Sequence, residues 1–230
     1  MTKTLVVAEM ALREIARRRV VLIILLLMPL AFYLSRRGDH LGQSIRFVCL
    51  GLGWALSTAA LFAGHAARSI EPRLRLSGYS GWQLVGGRLA ALWAIGAALT
   101  APYFVLVRFD QHDVSYGAIA AIMALTVPVS AALGLALSTV LPRELEGTLV
   151  LLVVVGLQMM MNPDDAASRV LPFWFSREIA TYAIDHTGGG YLGRGLLHGA
   201  LAAAVLTALV AVAWRVREGR RSHLEFIAIR

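Results

Sequence analysis

Six stretches of the chain carry no acidic side chain and no Lys or Arg: Val20–Ser35, Phe47–Ala67, Leu89–Val107, Val114–Pro142, Gly147–Pro163 and Gly195–Trp214. A helix rises about 1.5 Å per residue, so crossing roughly 30 Å of hydrocarbon takes about 20 residues. Four of the stretches reach that length. The first and fifth, at 16 and 17 residues, need flanking residues or a thinner bilayer. A water-soluble surface needs more charge than the 16% found here, beside 58% apolar residues and a mean hydropathy of +0.67. Inside hydrocarbon the backbone must satisfy its own hydrogen bonds, which favours helices. The pattern therefore predicts an all-α, polytopic membrane protein with six transmembrane helices, at about 20–35, 47–67, 85–107, 114–141, 147–163 and 193–214. Five spans is the alternative count.

The basic residues orient these spans. With the N-terminus in the cytoplasm, the inner side holds Lys3, Arg13, Arg17, Arg18, Arg19, Arg68, Arg73, Arg75, Arg88, Arg143 and the tail arginines from Arg215 to Arg230. The outer side holds Arg36, Arg37, Arg46, Arg108, Arg169, Arg177 and Arg194, a division of 15 against 7 of the 22 Lys and Arg residues. Lys and Arg collect on the cytoplasmic side of membrane proteins, so both termini are predicted inside, which requires an even number of spans. The net charge of +8 then reflects topology and an anionic inner leaflet, and requires no nucleic-acid partner. The arginines before the first span are followed by Tyr33-Leu34-Ser35-Arg36-Arg37, which offers no small-residue cleavage site, so that span is expected to be retained. The single cysteine, Cys49, excludes an internal disulfide.

Between the spans the sequence is more particular. Residues 3–19 predict an amphipathic helix lying in the cytoplasmic interface. Leu5, Ala8, Leu12 and Ile15 share one side of it, with i,i+4 pairs Glu9–Arg13 and Glu14–Arg18 on the other. The alternative is a plain extension of the first span. Residues 68–83 form a charged loop with Pro72 early and Gly78 and Gly81 late, the pattern of a short surface helix ending in a turn. A solvated loop that only fixes topology is the other reading. Residues 164–192 form a long external segment carrying short helices before the last span. It contains Phe173-Trp174-Phe175, suited to an interface dip or to an ordinary aromatic belt. Residues 215–230 form a cytoplasmic tail. Small residues, among them Gly51, Gly53, Ser57, Gly64, Gly195 and Gly199, suit close helix packing.

Chemistry of the chain's own is not evident. The six charge-free stretches hold no acid and no Lys or Arg, and a histidine, His65, sits near the inner end of the second, so ion coupling lacks its usual groups. The phosphate-binding loop, zinc-protease and nucleophile-elbow patterns do not occur. Neither catalytic residues nor metal ligands are expected, and no cofactor is expected on the chain itself.

In the order of these elements the whole chain resembles an ABC-2-type permease, the membrane subunit of ABC exporters with the type V architecture. The local likeness runs from Glu71 to Arg88, where Glu71, Leu74, Ser80, Trp82, Leu84, Gly87 and Arg88 follow the family's outline. Pro72-Arg73 replaces the usual Gly-Thr pair, and Glu146-Gly147-Thr148-Leu149 carries that wording one loop later. The resemblance implies export of a drug, antibiotic, peptide or lipid out of a bacterial cell across its plasma membrane. ATP and Mg would be bound by a separate ATPase subunit, present in two copies, and the pathway would form with a second permease copy or a homologue. It further implies that Ile70, Glu71, Arg73, Leu74, Arg75, Leu76, Gly78, Tyr79 and Ser80 couple to the ATPase. Arg143, Glu144 and Glu146 would add a smaller contact. Gln158, Met159 and Met160 are candidates for the substrate path, since thioethers accept varied shapes, though Met in a span also serves as filler. Phe173, Trp174 and Phe175 would gate the exit. Haem-exporting permeases of cytochrome maturation share the size and layout, and a non-transporting scaffold or sensor is the alternative class.

The topology is tested by single-cysteine labelling in a Cys49→Ser background. An impermeant maleimide added to intact cells should label Asp110→Cys and leave Arg75→Cys unlabelled; labelling at position 75 overturns the orientation.

Overall fold

The computed structural model describes residues 2–35, 37, 41–162, 165–185 and 187–228, with side chains at all of these except 41–42 and 217–228. Arg36, Pro163, Asp164 and Arg230, which bear on the expected topology and boundaries, lie outside the described residues. Nine α-helices are described: α1 Lys3–Arg17, α2 Arg19–Leu34, α3 Leu41–Ala67, α4 Glu71–Leu76, α5 Gly81–Asp110, α6 Tyr116–Val140, α7 Glu144–Met160, α8 Trp174–Asp185 and α9 Gly190–Ala228. A 3-10 turn at Ala166–Val170 precedes α8, and there is no strand among the described residues.

Four helices are long and apolar enough to cross a membrane: the Gln43–Ala67 part of α3, α5, α6, and the Gly190–Val216 part of α9. These make the chain a membrane protein by length and composition. At 16 and 17 residues, α2 and α7 measure about 24 and 26 Å, short of roughly 30 Å of hydrocarbon. The α9 helix continues unbroken past the expected end of its span, to Ala228.

The bundle is built around α3 and α6, whose most apolar stretches are each 72% buried, against 33% for α5 and 11% for α9. Small residues bring these two together: a Cβ at Gly134 of α6 would overlap the Ser57 carbonyl of α3, and one at Gly64 of α3 would overlap Ser138 of α6. Backbones that approach this closely gain dispersion contacts along their whole length. Against this pair, α2 packs beside α3 with Pro29 lying on Gly51. Helix α7 lies along another side of α3, while α5, α8 and α9 cover α6. The main core joins Ile45, Leu52, Ile119, Ile122, Leu151, Phe173, Phe175 and Ile179, all but fully buried.

The long helices alternate in direction, giving the molecule two distinct ends. At one, α1 and α4 gather with the ends of α3, α6 and α9 and the starts of α5 and α7. Helix α1 packs along the start of α5 through Val7, Ala8 and Ile15, the Thr4 carbonyl sitting against Gly87. Leu5 stays exposed. Both i,i+4 ion pairs of α1 form, Arg13 with Glu9 and Arg18 with Glu14. At the other end, Asp110 closing α5 accepts from Tyr33 of α2 and from Arg37, and Gln111 donates to the Tyr33 hydroxyl at 2.9 Å. There α8 meets α6 through a 2.9 Å bond from the Ser115 amide to the Ala183 carbonyl.

Gly134→Val therefore forces α3 and α6 apart and should cost about 1–3 kcal/mol, read as a lower unfolding midpoint in detergent. Gly156→Val, where no atom lies within 4 Å of the added Cβ, should leave the midpoint unchanged.

Candidate functional site

The six-residue helix α4 and the turn after it are fastened to α1, α5 and α9. Pro72 occupies the first turn, where a missing N–H costs nothing. Gly78 ends the helix in the left-handed region at φ +79°, a conformation glycine adopts without strain. The Gly78 amide bonds the Arg75 carbonyl at 2.8 Å, and the Tyr79 amide bonds the Leu74 carbonyl at 3.1 Å, closing a Schellman motif. From α1, Lys3 Nζ donates to the Gly78 carbonyl at 2.6 Å and lies 5.4 Å from the centre of the Tyr79 ring. The next helix then starts at once. The Ser80 amide donates to Gln83 Oε1 at 3.0 Å, half of a capping box.

The carboxylate of Glu71 is the centre of this end of the molecule. Its Oε1 accepts from Arg75 Nη2 at 2.6 Å and from Trp214 Nε1 at 2.8 Å, while Oε2 faces Arg88 Nη1 at 3.5 Å. The Glu71 and Arg88 side chains are only 13% and 12% exposed, so neither charge leans on water. The Arg75 guanidinium also lies 4.5 Å from the centre of the Trp214 ring, a cation–π arrangement. Gly81 makes room for this ring, since any Cβ there would overlap the indole. One carboxylate thus joins α4, α5 and α9. Burial raises the Glu71 pKa, but the Arg88 charge, the Trp214 and Arg75 hydrogen bonds and the Arg75 charge outweigh it, leaving the carboxyl below its ordinary value.

A second cation completes the end. Arg68, just past α3, donates to the carbonyls of Leu141 at 2.7 Å and Pro142 at 3.0 Å, and to that of Ser138. These belong to the closing turn of α6 and the corner beyond it, where helical carbonyls lack partners and the dipole is negative. Arg68 therefore holds the α6–α7 corner against the segment that leads into α4.

Of the sequence-derived coupling residues, Glu71 and Arg75 belong to the cluster, and Leu74 and Ile70 border a cavity of about 360 Å³ between α1, α3, α4 and α5. Arg73, Ser80 and Leu76 are exposed, Leu76 by 91%. Arg143 and Glu144 are exposed and Glu146 is half-buried, at the same end of the bundle as α4. Gln158 and Met159 line a cavity of about 300 Å³ at the opposite end, and Met160 is exposed beside it. Phe173, Trp174 and Phe175 are 1%, 7% and 0% exposed. Phe173 seats its ring against Gly53 of α3, and Phe175 contacts Gly199 of α9.

Sequence reasoning missed the roles of Arg68 and Trp214. Arg68 counted as a topology charge, and Trp214 as the end of a span. The Glu71–Arg75 spacing of four on a predicted helix was visible and signals an ion pair. No group of three or more His, Cys, Asp or Glu that could hold a metal occurs among the described residues. The sequence matches no protein-family model and no curated protein.

A carboxyl held below its ordinary value contributes stability above its unfolded pKa and loses it as pH falls through the folded one. The Trp214 environment should therefore survive acidification through the ordinary carboxylate range and change only below it, read as tryptophan emission in a variant with the other four tryptophans replaced by Phe. Glu71→Gln should remove that acid transition. Because it strands Arg88, it should also cost about 3–5 kcal/mol of stability.

Proposed function

We propose that this chain is the membrane-spanning permease subunit of an ATP-driven ABC exporter of the ABC-2 type. It crosses a bacterial plasma membrane six times with both termini in the cytoplasm. The alternating direction of α2, α3, α5, α6, α7 and α9 supports six crossings, with flanking residues or bilayer thinning supplying the last few ångströms at α2 and α7. The bias of Lys and Arg supports an inside position for the α4 end.

The observation that carries the reading is the construction of α4. Its inner side is locked to α5 and α9 through Glu71, while Ile70, Arg73 and Leu76 stand out from the bundle. An apolar residue 91% exposed on so firmly held a helix suits insertion into a groove of another protein. In this reading two ATPase subunits, each binding ATP and Mg, receive α4, and the α6–α7 corner at Arg143 and Glu144 makes a smaller contact. Their closure on ATP pushes α4. The Glu71 carboxylate passes the displacement to Arg88 on α5 and Trp214 on α9, and Arg68 passes it to α6 and α7. The chain itself performs no hydrolysis, and a second permease copy or a homologue completes the pathway. The central turns of the long helices carry no fixed charge, so a substrate with one apolar part is favoured and a multiply charged solute would lose its hydration uncompensated.

The test is reconstitution with an ABC ATPase subunit that co-purifies with this chain. Glu71→Ala and Leu76→Asp should each cut substrate-stimulated ATPase activity by about tenfold or more, while the chain still inserts. Stimulation by lipophilic drugs, lipids or lipopeptides is expected. Normal export by both variants, or stimulation by a sugar phosphate alone, overturns the proposal.

A further inference from the structure

At the end of the bundle away from α4, a cavity of about 300 Å³ opens between α3, α7 and α8. That is the lower limit of small-ligand pockets and room for about ten waters. Its wall carries two guanidinium groups, Arg46 of α3 and Arg177 of α8, and the amide of Gln158 of α7, over an apolar floor of Phe47, Leu50 and Met159. No carboxylate lines it among the described residues. The Asp185 charge reaches Arg46 from α8 without bordering the cavity.

Two of the lining residues each carry a buried polar atom that lacks a hydrogen-bond partner among the described residues, Arg46 Nε and Gln158 Oε1. Arg46 Nη2 donates to Thr181 Oγ1 at 2.8 Å, which ties the guanidinium to α8. Leaving a buried donor and a buried acceptor unmet costs about 1–3 kcal/mol each. One is an N–H and the other a C=O, so they call for opposite groups in a single occupant. Anionic oxygens would pair with the Arg46 guanidinium, a neighbouring N–H or O–H would serve the Gln158 amide, and an apolar part would cover Phe47 and Leu50.

We propose that this cavity is a binding site for a small amphipathic anion, a carboxylate or phosphate with an adjacent hydrogen-bond donor and a short apolar tail. Such chemistry belongs both to acylated solutes and to anionic lipid headgroups. Binding itself does not depend on the export reading, which supplies only the side of the membrane the cavity faces.

N-octanoylglycine supplies the carboxylate, the amide N–H and the tail, and its methyl ester lacks only the charge. Calorimetry on the chain in phosphatidylcholine nanodiscs should show binding of the acid, with the ester and inorganic phosphate each weaker by at least about tenfold. Arg46→Gln and Gln158→Leu should each weaken the acid by a similar factor. As a measurement that does not rely on those variants folding, Gln43→Cys at the cavity wall, in a Cys49→Ser background, should react more slowly with maleimide when the acid is present. Competition by phosphatidylglycerol in the disc would identify a lipid headgroup as the natural source, and its absence a solute. Equal binding of acid and ester, or unchanged cysteine reactivity at saturating acid, overturns the site. Binding that persists when no ATPase partner can be stimulated retains the site and defeats the export reading instead.

Discussion

A carboxylate shielded from water must keep every one of its partners, and Glu71 draws its partners from α4, α5 and α9. The Arg88 charge is as sheltered as its own, so neither can leave without stranding the other. Such a pair adds little net stability over a well-packed apolar equivalent, but it penalises rearrangement heavily. A greasy contact at this point would let α4 slide over the ends of α5 and α9. The ionic one, with Trp214 donating in a fixed direction, permits one register. The Schellman turn at Gly78 and the Lys3 bond to its carbonyl extend the same restraint to α1.

Close packing at this end is matched by close packing in the middle, while the flanking helices turn an apolar side outward. The α3–α6 pair meets through glycine and serine with hardly a side chain between, and packed interiors of that kind transmit displacement instead of absorbing it. Helix α9, with 11% of its apolar stretch buried, exposes Leu197, Leu201, Val205 and Leu209. Helix α9 is thus held along one side by α6 and α8 and by Trp214 at its Glu71 end, while its other side faces outward. The α6–α7 corner, clipped by Arg68 to the end of α3, would move with the central pair.

The legible part of this fold was whatever depends on one helix at a time. The apolar runs mark α2, α3, α5, α6, α7 and α9, because charge exclusion by hydrocarbon is a local rule. The i,i+4 pairs of α1 and the turn glycine at Gly78 are likewise set within a few residues. The lengths of α2 and α7 were legible as a shortfall and remain one. What the sequence did not disclose depends on residues far apart. Arg68 finds carbonyls some seventy positions away, and Trp214 reaches Glu71 across 143 positions. An arginine at a span end has a ready explanation in topology, and a tryptophan in the interface, so nothing local signals the partner.

The aromatic run at Phe173–Phe175 carries the same lesson to the opposite end of the molecule. From sequence, three aromatics in an external loop suit an interface or a gate. In the structure Phe173 fills the space left by Gly53, and Phe175 lies against Gly199, each ring replacing a side chain its neighbour lacks. Glu178 follows one turn later and pairs with Arg194 at 2.9 Å, joining α8 to α9. These contacts make α8 a fixed cover over α6 and α9, with its Arg177 side turned to the cavity beside α3 and α7. Motion at this end would therefore be expected where packing is thinner, along α7, whose Leu152, Val153, Leu157 and Met160 are all exposed. Gln158, in the last turn of that helix, borders the cavity together with Met159. A shift of α7 would change the distance between Gln158 and Arg46, and with it the shape of any ligand the cavity accepts.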